Sequence, residues 1–498
     1  MPPPTEPTPL RPLSNMELFS SSRHHLGLYR CVAITGRYVP ASSSPSPLDA
    51  EALYPALAAL VEAQPMLRVG ILGQGRSRPR PRFSHLARLD LRDHVSWDSL
   101  ALGAGYEHRL ARRQGWLHDQ LWPDIEVRPP WRLVVLRPGP AGADVDDSEP
   151  EPPPFYDVVF AFHHSLMDGS AGKAFHEHLL DALNHPRPPS CPTSPPYLLF
   201  FPRPPTLPEA QEDVVASTAS LPFLLGALWN EYAPAMLRPA APWHGKAIDF
   251  SIPHRTRTLA VDVAPDLVAA LVAACRIHGT SLTALVHALV LASFARRLSG
   301  NDGDEDASRF AASTPINLRP FLDPNTSDPA LAPLFRCLVT GHTHAFSPST
   351  VDALRRPDAS LDALIWSNAQ RIKRELAHRL ATLPADDPSA SLGYIGDWSA
   401  FWRAKHGGQR AESWEVSNIG LLSGGGATWS IQRVFFTNGS MVAGPPLGVN
   451  VATAAPAGTL TAGLSWQDTV VPDGFAEQLA ADLKTLAQRF HDTGYFSF

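Results

Sequence analysis

The sequence contains little cysteine, and none of it is paired in a short motif. Cys31, Cys191, Cys275 and Cys337 are scattered over 498 residues without a C-x-x-C spacing. Structural zinc sites commonly use closely spaced cysteines and disulfide frameworks are rich in cysteine, so we expect neither. This usage is typical of a reducing, intracellular compartment.

Long hydrophobic runs are also missing. The longest, residues 282–295, is interrupted by His287 and Ser293 and ends at Arg296. It is too short to span a bilayer unaided and is interpreted as a core helix. The proline-rich N-terminus lacks the apolar stretch of a secretory signal. We therefore expect a soluble, cytoplasmic protein without stable membrane insertion.

Basic charge is sparse. The formal net charge is −6 at pH 7, and no Lys/Arg run has the length that follows a phosphate backbone. We expect no nucleic acid partner. The segment GRSRPRPR is interpreted as a solvated loop. The alternative is a docking surface for a carrier protein, and the only basic residues available for it are Arg76, Arg78, Arg80 and Arg82.

Proline, in contrast, is abundant, and its clusters mark boundaries. Among the 51 prolines, one group falls in residues 185–245, which we interpret as a linker or lid. It separates a predicted N-terminal domain, residues 1–184, from a predicted C-terminal domain, residues 246–498. A 498-residue chain with 44% hydrophobic residues is large enough for at least two domains.

Hydrophobic periodicity predicts both strands and helices. Residues 155–162 form a continuous apolar run typical of a buried strand, and residues 170–183 have helical spacing. Residues 281–298 read as a long helix with Ser281 as N-cap. Strand-like runs follow, and residues 473–493 form a last amphipathic helix. Strands and helices do not alternate strictly, which favours a mixed α/β (α+β) fold with sheets covered by helices.

The segment AFHHSLMDGSAG, residues 161–172, carries the clearest chemical signal. A strand leads into His163 and His164, and a helix follows Asp168 and Gly169. A neutral imidazole near pH 7 takes a proton from a hydroxyl and returns it to a leaving thiolate. The aspartate could instead hold a loop or an arginine, and the glycine permits a sharp turn. The plainer alternative is a core histidine followed by a helix N-cap.

Two other site chemistries fit less well. Adjacent histidines on a strand point to opposite faces, so His163 and His164 do not share one ion with Asp168, and we expect no metal. The sequence also lacks a G-x-S-x-G elbow, which leaves serine hydrolase chemistry without support.

The segment HHSLMDG resembles the HHxxxDG motif of the superfamily of chloramphenicol acetyltransferase, plant BAHD acyltransferases and nonribosomal peptide condensation domains. Other segments are similar, in order, to the fungal alcohol O-acetyltransferase family, and they cover nearly the whole chain. They are RPLSNMELFSSSRHHLGLYRCV, RPPWRLVVL, HGTSLTALVHALVLASF, TPINLRP, GPPLGVNVAT and LSWQDTVV.

This resemblance implies two similar mixed α/β domains of the chloramphenicol acetyltransferase type, with a tunnel between them. Acyl-CoA, with acetyl-CoA favoured, would enter from one face and a small alcohol or amine acceptor from the other. His164 would deprotonate the acceptor, which then attacks the thioester carbonyl directly. The resemblance also favours a monomer.

The same resemblance suggests roles for other residues. Asp168 would be structural and paired with an arginine, either Arg68, placed as in condensation domains, or its rival Arg319. His163 would be structural, and Gly169 would allow the turn. In the segment SNIG, Ser417 and Asn418 are candidates to line the tunnel and stabilise an oxyanion, although an ordinary strand end is an equal alternative.

Other functions of the same scaffold stay open at this point. They are condensation or cyclisation of a natural-product intermediate, use of a donor bound to a carrier protein, and transfer to an amine. The BAHD motif DFGWG is absent, and FTNGSMVAGPP occupies the comparable late region, which argues against a plant-type enzyme. The intact HHxxxDG argues against a non-catalytic binding module.

Overall fold

The computed structural model describes residues 6–41, 47–139, 154–186, 195–233, 237, 240–298, 307–322, 335–357 and 360–498. Cys191 and parts of the predicted linker lie outside these ranges. The strands are β1 (Thr8–Pro12), β2 (Val32–Pro40), β3 (Val69–Leu72), β4 (Arg82–His85), β5 (Arg88–Asp90), β6 (Val95–Ala101), β7 (Trp131–Gly139), β8 (Tyr156–Phe162), β9 (Leu198–Phe200), β10 (Thr256–Val263), β11 (Phe310–Asn317), β12 (Val339–Phe346), β13 (Trp414–Ser423), β14 (Trp429–Asn438), β15 (Leu447–Ala455) and β16 (Leu460–Gln467).

Helices cover the sheets. They are α1 (Asn15–His25), α2 (Ala50–Ala63), α3 (Tyr106–His118), α4 (Gly169–Asn184), α5 (Gln211–Val214), α6 (Leu221–Tyr232), α7 (Pro265–Ile277), α8 (Leu282–Arg297), α9 (Pro348–Arg355), α10 (Leu361–Thr382), α11 (Pro388–Ser391), α12 (Trp398–Arg403) and α13 (Phe475–Thr493). The mixed α/β fold expected from the sequence is confirmed.

The first large sheet has the strand order β14-β2-β8-β7-β6. Strand β8 lies in its centre, antiparallel to both β2 and β7, and is buried along its whole length. Its Phe160 ring stacks on Phe175 of α4, with ring centroids 3.6 Å apart. Because helices cover both faces, the continuous apolar run of β8 fits a strand without a solvent face.

The second large sheet has the order β10-β16-β15-β13-β11-β12 and contains parallel and antiparallel pairs. Helix α8 is the main cover of its core, with buried residues from Ala284 to Ala295. Its N-cap Ser281 accepts a hydrogen bond from the backbone of Ala284, as predicted. The two large cores contain different aromatic groups, with Trp414 and Phe294 central to the second.

One strand crosses the proposed domain boundary. Strand β14 belongs to the second half of the chain but pairs with β2 in the first sheet, where Phe436 lies opposite Ile34. The end of β13 also lies against α4, where Lys173 Nζ donates a hydrogen bond to the Leu421 carbonyl (2.9 Å). The order of the elements along the chain after β13 therefore does not decide which sheet each one joins.

Within the described residues, no single helix combines the length and apolar character needed to cross a membrane. Helices α7 and α8 meet that test only as a pair, and they are bent by 101° relative to each other.

Candidate active site

The end of β8 and the start of α4 position the HHSLMDG segment. Strand β8 ends at Phe162, and the backbone N–H of His163 donates to the carbonyl of Pro130 (2.9 Å). Helix α4 begins at Gly169, with Asp168 as N-cap. The segment therefore forms a rigid strand-to-helix connection, as the sequence predicted.

Asp168 is an anchor between the two halves of the chain. Its Oδ1 accepts the backbone N–H of Ala171 (3.0 Å), which caps α4. Its Oδ2 accepts from Arg319 Nη1 and from the backbone N–H of Leu338, both at 2.9 Å. The carboxylate thus points away from the His164 imidazole and joins β8–α4 to the segment leading into β12.

Of the two arginines proposed from the sequence, the structure pairs Arg319 with Asp168. Arg68 lies elsewhere, with its guanidinium over the Phe201 ring at 4.5 Å from the centroid. Arg68 was a candidate because it is placed as in condensation domains. It does not pair with Asp168 in this chain, because it belongs to a 3₁₀ turn before β3. Arg319 reaches the motif from the short 3₁₀ turn that follows β11.

His163 is buried in a supporting position. Its Nδ1 accepts the backbone N–H of Ser165 (3.0 Å), and its ring lies 4.7 Å from the His24 ring. Burial, reinforced by the neighbouring His24 and His164, lowers the pKa of His163 well below its ordinary value. The ring is therefore neutral and packed between α1 and the motif.

His164 is half-buried and lies in a different environment from His163. Its Nδ1 is 3.8 Å from Cys337 Sγ, and its ring is 6.1 Å from that of Tyr29. Burial lowers the pKa of His164 to about 4, assisted by the positive charge of Arg23 and opposed by its own backbone carbonyl and by Asp168. The imidazole is therefore neutral, the form that acts as a base, at neutral pH.

The Nδ1 side of the His164 ring faces the Cys337 thiol, and the residue's own backbone carbonyl favours the charged ring. Within the described residues, Nε2 makes no hydrogen bond. Nε2 is therefore the ring nitrogen open to an acceptor, and it acts as a base when the proton of the neutral ring is on Nδ1.

Cys337 is the residue nearest to His164 that sequence reasoning did not select. Burial, together with the negative charges of Asp168 and Glu17, raises the pKa of the thiol well above its ordinary value. A thiol that stays protonated is a poor nucleophile. The Cys337–His164 pair therefore does not have the electrostatics of a cysteine acyltransferase.

Gly169 allows a close approach to other groups rather than a left-handed turn. It occupies the first turn of α4 and is not among the glycines with positive φ, so no left-handed turn requires it. A Cβ at this position would lie 2.9 Å from Cγ2 of Ile419 and 3.4 Å from the Phe436 ring. The glycine is needed because β13 and β14 pack directly against the start of α4.

The SNIG segment lies in β13, and its two candidate residues face different ways. Trp414 and Val416 belong to the second core, and Asn418 donates to Thr283 Oγ1 of α8 (3.0 Å). Side chains alternate along a strand, so Ser417 shares the opposite face with Glu415, and an irregularity in register follows Asn418. Ile419 lies against Gly169, so this part of β13 approaches the histidine motif.

Arg23, Tyr29, Glu415 and Asn438 complete the surroundings of His164, and sequence reasoning did not select them. The guanidinium of Arg23 lies over the Tyr29 ring at 4.7 Å from its centroid. Tyr29 Oη is 3.4 Å from Asn438 Oδ1, and Asn438 Nδ2 donates to Glu415 Oε1 (2.9 Å). Arg23 and Tyr29 lie in the segment RHHLGLYRCV and Asn438 lies in FTNGSMVAGPP, so family resemblance marked these segments but not the individual residues.

Comparison with known proteins gives a consistent result. A model of the alcohol acetyltransferase family matches residues 123–481. A probable alcohol acetyltransferase of Fusarium pseudograminearum is 28% identical over 438 residues, which are 84% of this chain and 82% of that protein. A probable alcohol acetyltransferase of Aspergillus fumigatus is 26% identical over 497 residues, or 93% and 96% of the two chains.

Solved structures share the fold at low sequence identity. A trichothecene 15-O-acetyltransferase from Fusarium sporotrichioides superposes with a TM-score of 0.67 at 11% identity, covering 96% of this chain and 94% of the other. The condensation domain of the monacolin K polyketide synthase superposes with a TM-score of 0.58 at 12% identity, covering 98% and 99%. The fold is therefore the one shared by these acetyltransferases and condensation domains.

Proposed function

This chain belongs to the alcohol acetyltransferase family and is an acyltransferase that acts on an alcohol, and on that premise we propose that it transfers an acetyl group from acetyl-CoA with His164 as general base. The observation that carries the proposal is the environment of His164. Its imidazole is neutral, and the contacts of Nδ1 leave Nε2 available as a base.

The proposed reaction takes place in a ternary complex. Nε2 of His164 accepts the hydroxyl proton as the acceptor oxygen forms a bond to the thioester carbonyl carbon. The resulting tetrahedral oxyanion collapses, the carbon–sulfur bond breaks, and the departing thiolate takes the proton from the imidazolium. The products are the acetate ester and the free thiol, and His164 returns to its neutral form.

We assign Ser417 rather than Asn418 to the oxyanion. Ser417 lies two residues before Ile419, which packs against the start of α4, whereas the Asn418 amide is already bonded to Thr283. A hydroxyl donor aimed at developing negative charge lowers the barrier, and loss of one such donor costs about 10²–10³ in kcat. Asp168 and His163 act as positioning residues in this scheme.

Direct attack is favoured over an acyl-enzyme. Among the described residues, the thiol beside His164 is that of Cys337, and its surroundings hold it protonated. Cys337 is therefore not an activated nucleophile for His164 to serve, and the partner of His164 in proton transfer is the acceptor itself. We infer that a monomer carries the complete site, since both halves of one chain supply the residues around His164.

The test measures thiol release from acetyl-CoA by the purified protein with a panel of alcohols and amines. Wild type should release thiol only when an acceptor is present, and His164→Ala should lower the rate about 10²–10⁴-fold. His163→Asn is the matched control, expected to affect folding more than the chemical step. Transfer at the wild-type rate by His164→Ala would refute the mechanism. If transfer occurs only from an acetyl thioester bound to a carrier protein, that thioester is the donor and acetyl-CoA is not.

A further inference from the structure

Arg23 is a half-buried cation without a hydrogen bond. Within the described residues its guanidinium makes no hydrogen bond or ion pair, and Nε is buried without a partner. Burial lowers the pKa of Arg23 to about 10, a direction that Tyr29 and Glu415 oppose. Arginine is rarely left in this state, because each buried donor without a partner costs free energy.

Three aromatic rings lie around the Arg23 guanidinium. Its Cζ lies 4.0 Å from the Phe19 ring centroid, 4.7 Å from that of Tyr29 and 6.0 Å from that of Trp402. Cation–π contacts stabilise the charge of the guanidinium. They supply no oxygen acceptor, so the N–H donors remain without a conventional hydrogen bond.

Glu415 is the complementary group. It projects from the face of β13 that Ser417 shares, and its Oε1 accepts from Asn438 Nδ2 (2.9 Å). Burial and the nearby Glu412 raise the pKa of Glu415 to about 7, and the charge of Arg23 acts in the opposite direction. Arg23 and Glu415 therefore attract each other, yet they do not form an ion pair.

Tyr29 lies between this pair and His164. Its ring is 6.1 Å from the His164 ring and packs under Arg23, and its hydroxyl is within reach of Asn438. The charge of Arg23 also acts directly on His164. Tyr29 therefore connects the proposed base to Arg23 and, through Asn438, to Glu415.

Resting on the proposed function, we propose that Arg23 and Glu415 form a polar subsite for a second hydroxyl of the acceptor. A hydroxyl is both donor and acceptor, so it receives a hydrogen bond from Arg23 and donates one to Glu415. A carboxylate at this position would be repelled by the charge of Glu415, and an ammonium group would be repelled by the charge of Arg23. The acceptors are therefore alcohols with at least two hydroxyl groups rather than simple alkyl alcohols.

The experiment compares kcat/KM for cyclohexanol and for the matching cyclohexanediols, with acetyl-CoA as donor. Wild type should prefer a diol by about 10–100-fold, the range of a hydrogen bond to a charged group. Arg23→Met should remove most of this preference. Arg23→Lys, which keeps the charge but loses the planar fork, should retain part of it. Arg68→Met is the matched control, since Arg68 also lies on an aromatic ring but outside the site, and it should keep the wild-type ratio.

The outcomes separate the two proposals. If neither alcohol supports thiol release, the proposed acetyl-CoA reaction fails. If both are acetylated with a diol-to-alcohol ratio that Arg23→Met and Glu415→Gln leave unchanged, the subsite is refuted and the reaction stands. A preference for a hydroxy acid over the diol would also refute the subsite. Melting temperatures of wild type and Glu415→Gln with diol alone give a second readout, in which only wild type should be stabilised.

Discussion

Arg319 and Asp168 form an ion pair at 2.9 Å across 151 residues of sequence, and this pair anchors the histidine motif to the second half of the chain. Asp168 also accepts from the backbone of Leu338, one residue after the thiol that lies beside His164. The position of His164 relative to the second half therefore depends on a carboxylate that does not touch it.

Removing the Asp168 carboxylate should destabilise the fold. Asp168→Ala deletes the helix cap and leaves Arg319 without its carboxylate partner, so we expect a loss of about 3–5 kcal/mol in the free energy of unfolding. Asp168→Asn keeps a cap acceptor and should lose less. Urea denaturation measures both, and Arg68→Ala is the control, with an expected effect of about 1 kcal/mol or less. Equal effects of the Asp168 and Arg68 variants would contradict this anchoring function.

Enlarging Gly169 should disrupt packing, and a second change should rescue it. Gly169→Ala places a methyl group 2.9 Å from Cγ2 of Ile419. We expect overpacking to cost about 1–3 kcal/mol. Ile419→Ala removes Cγ2 itself, so the double variant should lose less stability than the two single variants predict together and should recover part of the transfer activity. A double variant as unstable as the sum of the two single variants would place the strain elsewhere.

The pH profile of transfer should reflect the lowered pKa of His164. The neutral imidazole is the active form, so kcat/KM should stay level from neutral pH downward and fall only as the pH approaches about 4. Arg23→Met removes a positive charge that lowers this pKa, so its acidic limb should move to higher pH. Circular dichroism at each pH separates titration from unfolding. A wild-type limb near pH 6.5 would refute the proposed environment of the base.

Cys337 should be dispensable for covalent chemistry. The raised pKa of its thiol means that incubation with acetyl-CoA without acceptor should leave the protein mass unchanged. Cys337→Ser should retain most transfer activity and show the same sequential kinetics as wild type. An acetylated intermediate in intact-protein mass spectrometry, lost in Cys337→Ser, would instead establish a two-step mechanism through this residue.

Acid should destabilise the fold through its buried histidines. Burial lowers the pKa of each of His24, His94, His118 and His176 to about 4. In the unfolded chain these groups have ordinary values near 6.5, so the unfolded state binds more protons between the two values. The stabilisation is present above pH 6.5 and is lost as the pH falls towards 4. Denaturant unfolding at several pH values measures this slope, and constant stability over that interval would contradict it.

The local elements around the motif were predictable because their patterns are local. The apolar run of residues 155–162 became β8 (Tyr156–Phe162), and the helical spacing of residues 170–183 became α4 (Gly169–Asn184). The spacing of His164, Asp168 and Gly169 identified the segment proposed as catalytic without any three-dimensional information. Short-range periodicity determines each of these features, since side-chain direction repeats within a strand or a helix.

The sequence by itself therefore determined the motif, the mixed fold and the family. Tertiary structure alone decided which arginine pairs with Asp168, why residue 169 is glycine, and that β14 joins the first sheet. It also decided that Arg23 and Glu415, nearly four hundred residues apart, flank Tyr29 beside His164. These contacts depend on which surfaces the two sheets bury against each other, and no pattern confined to neighbouring residues encodes that pairing.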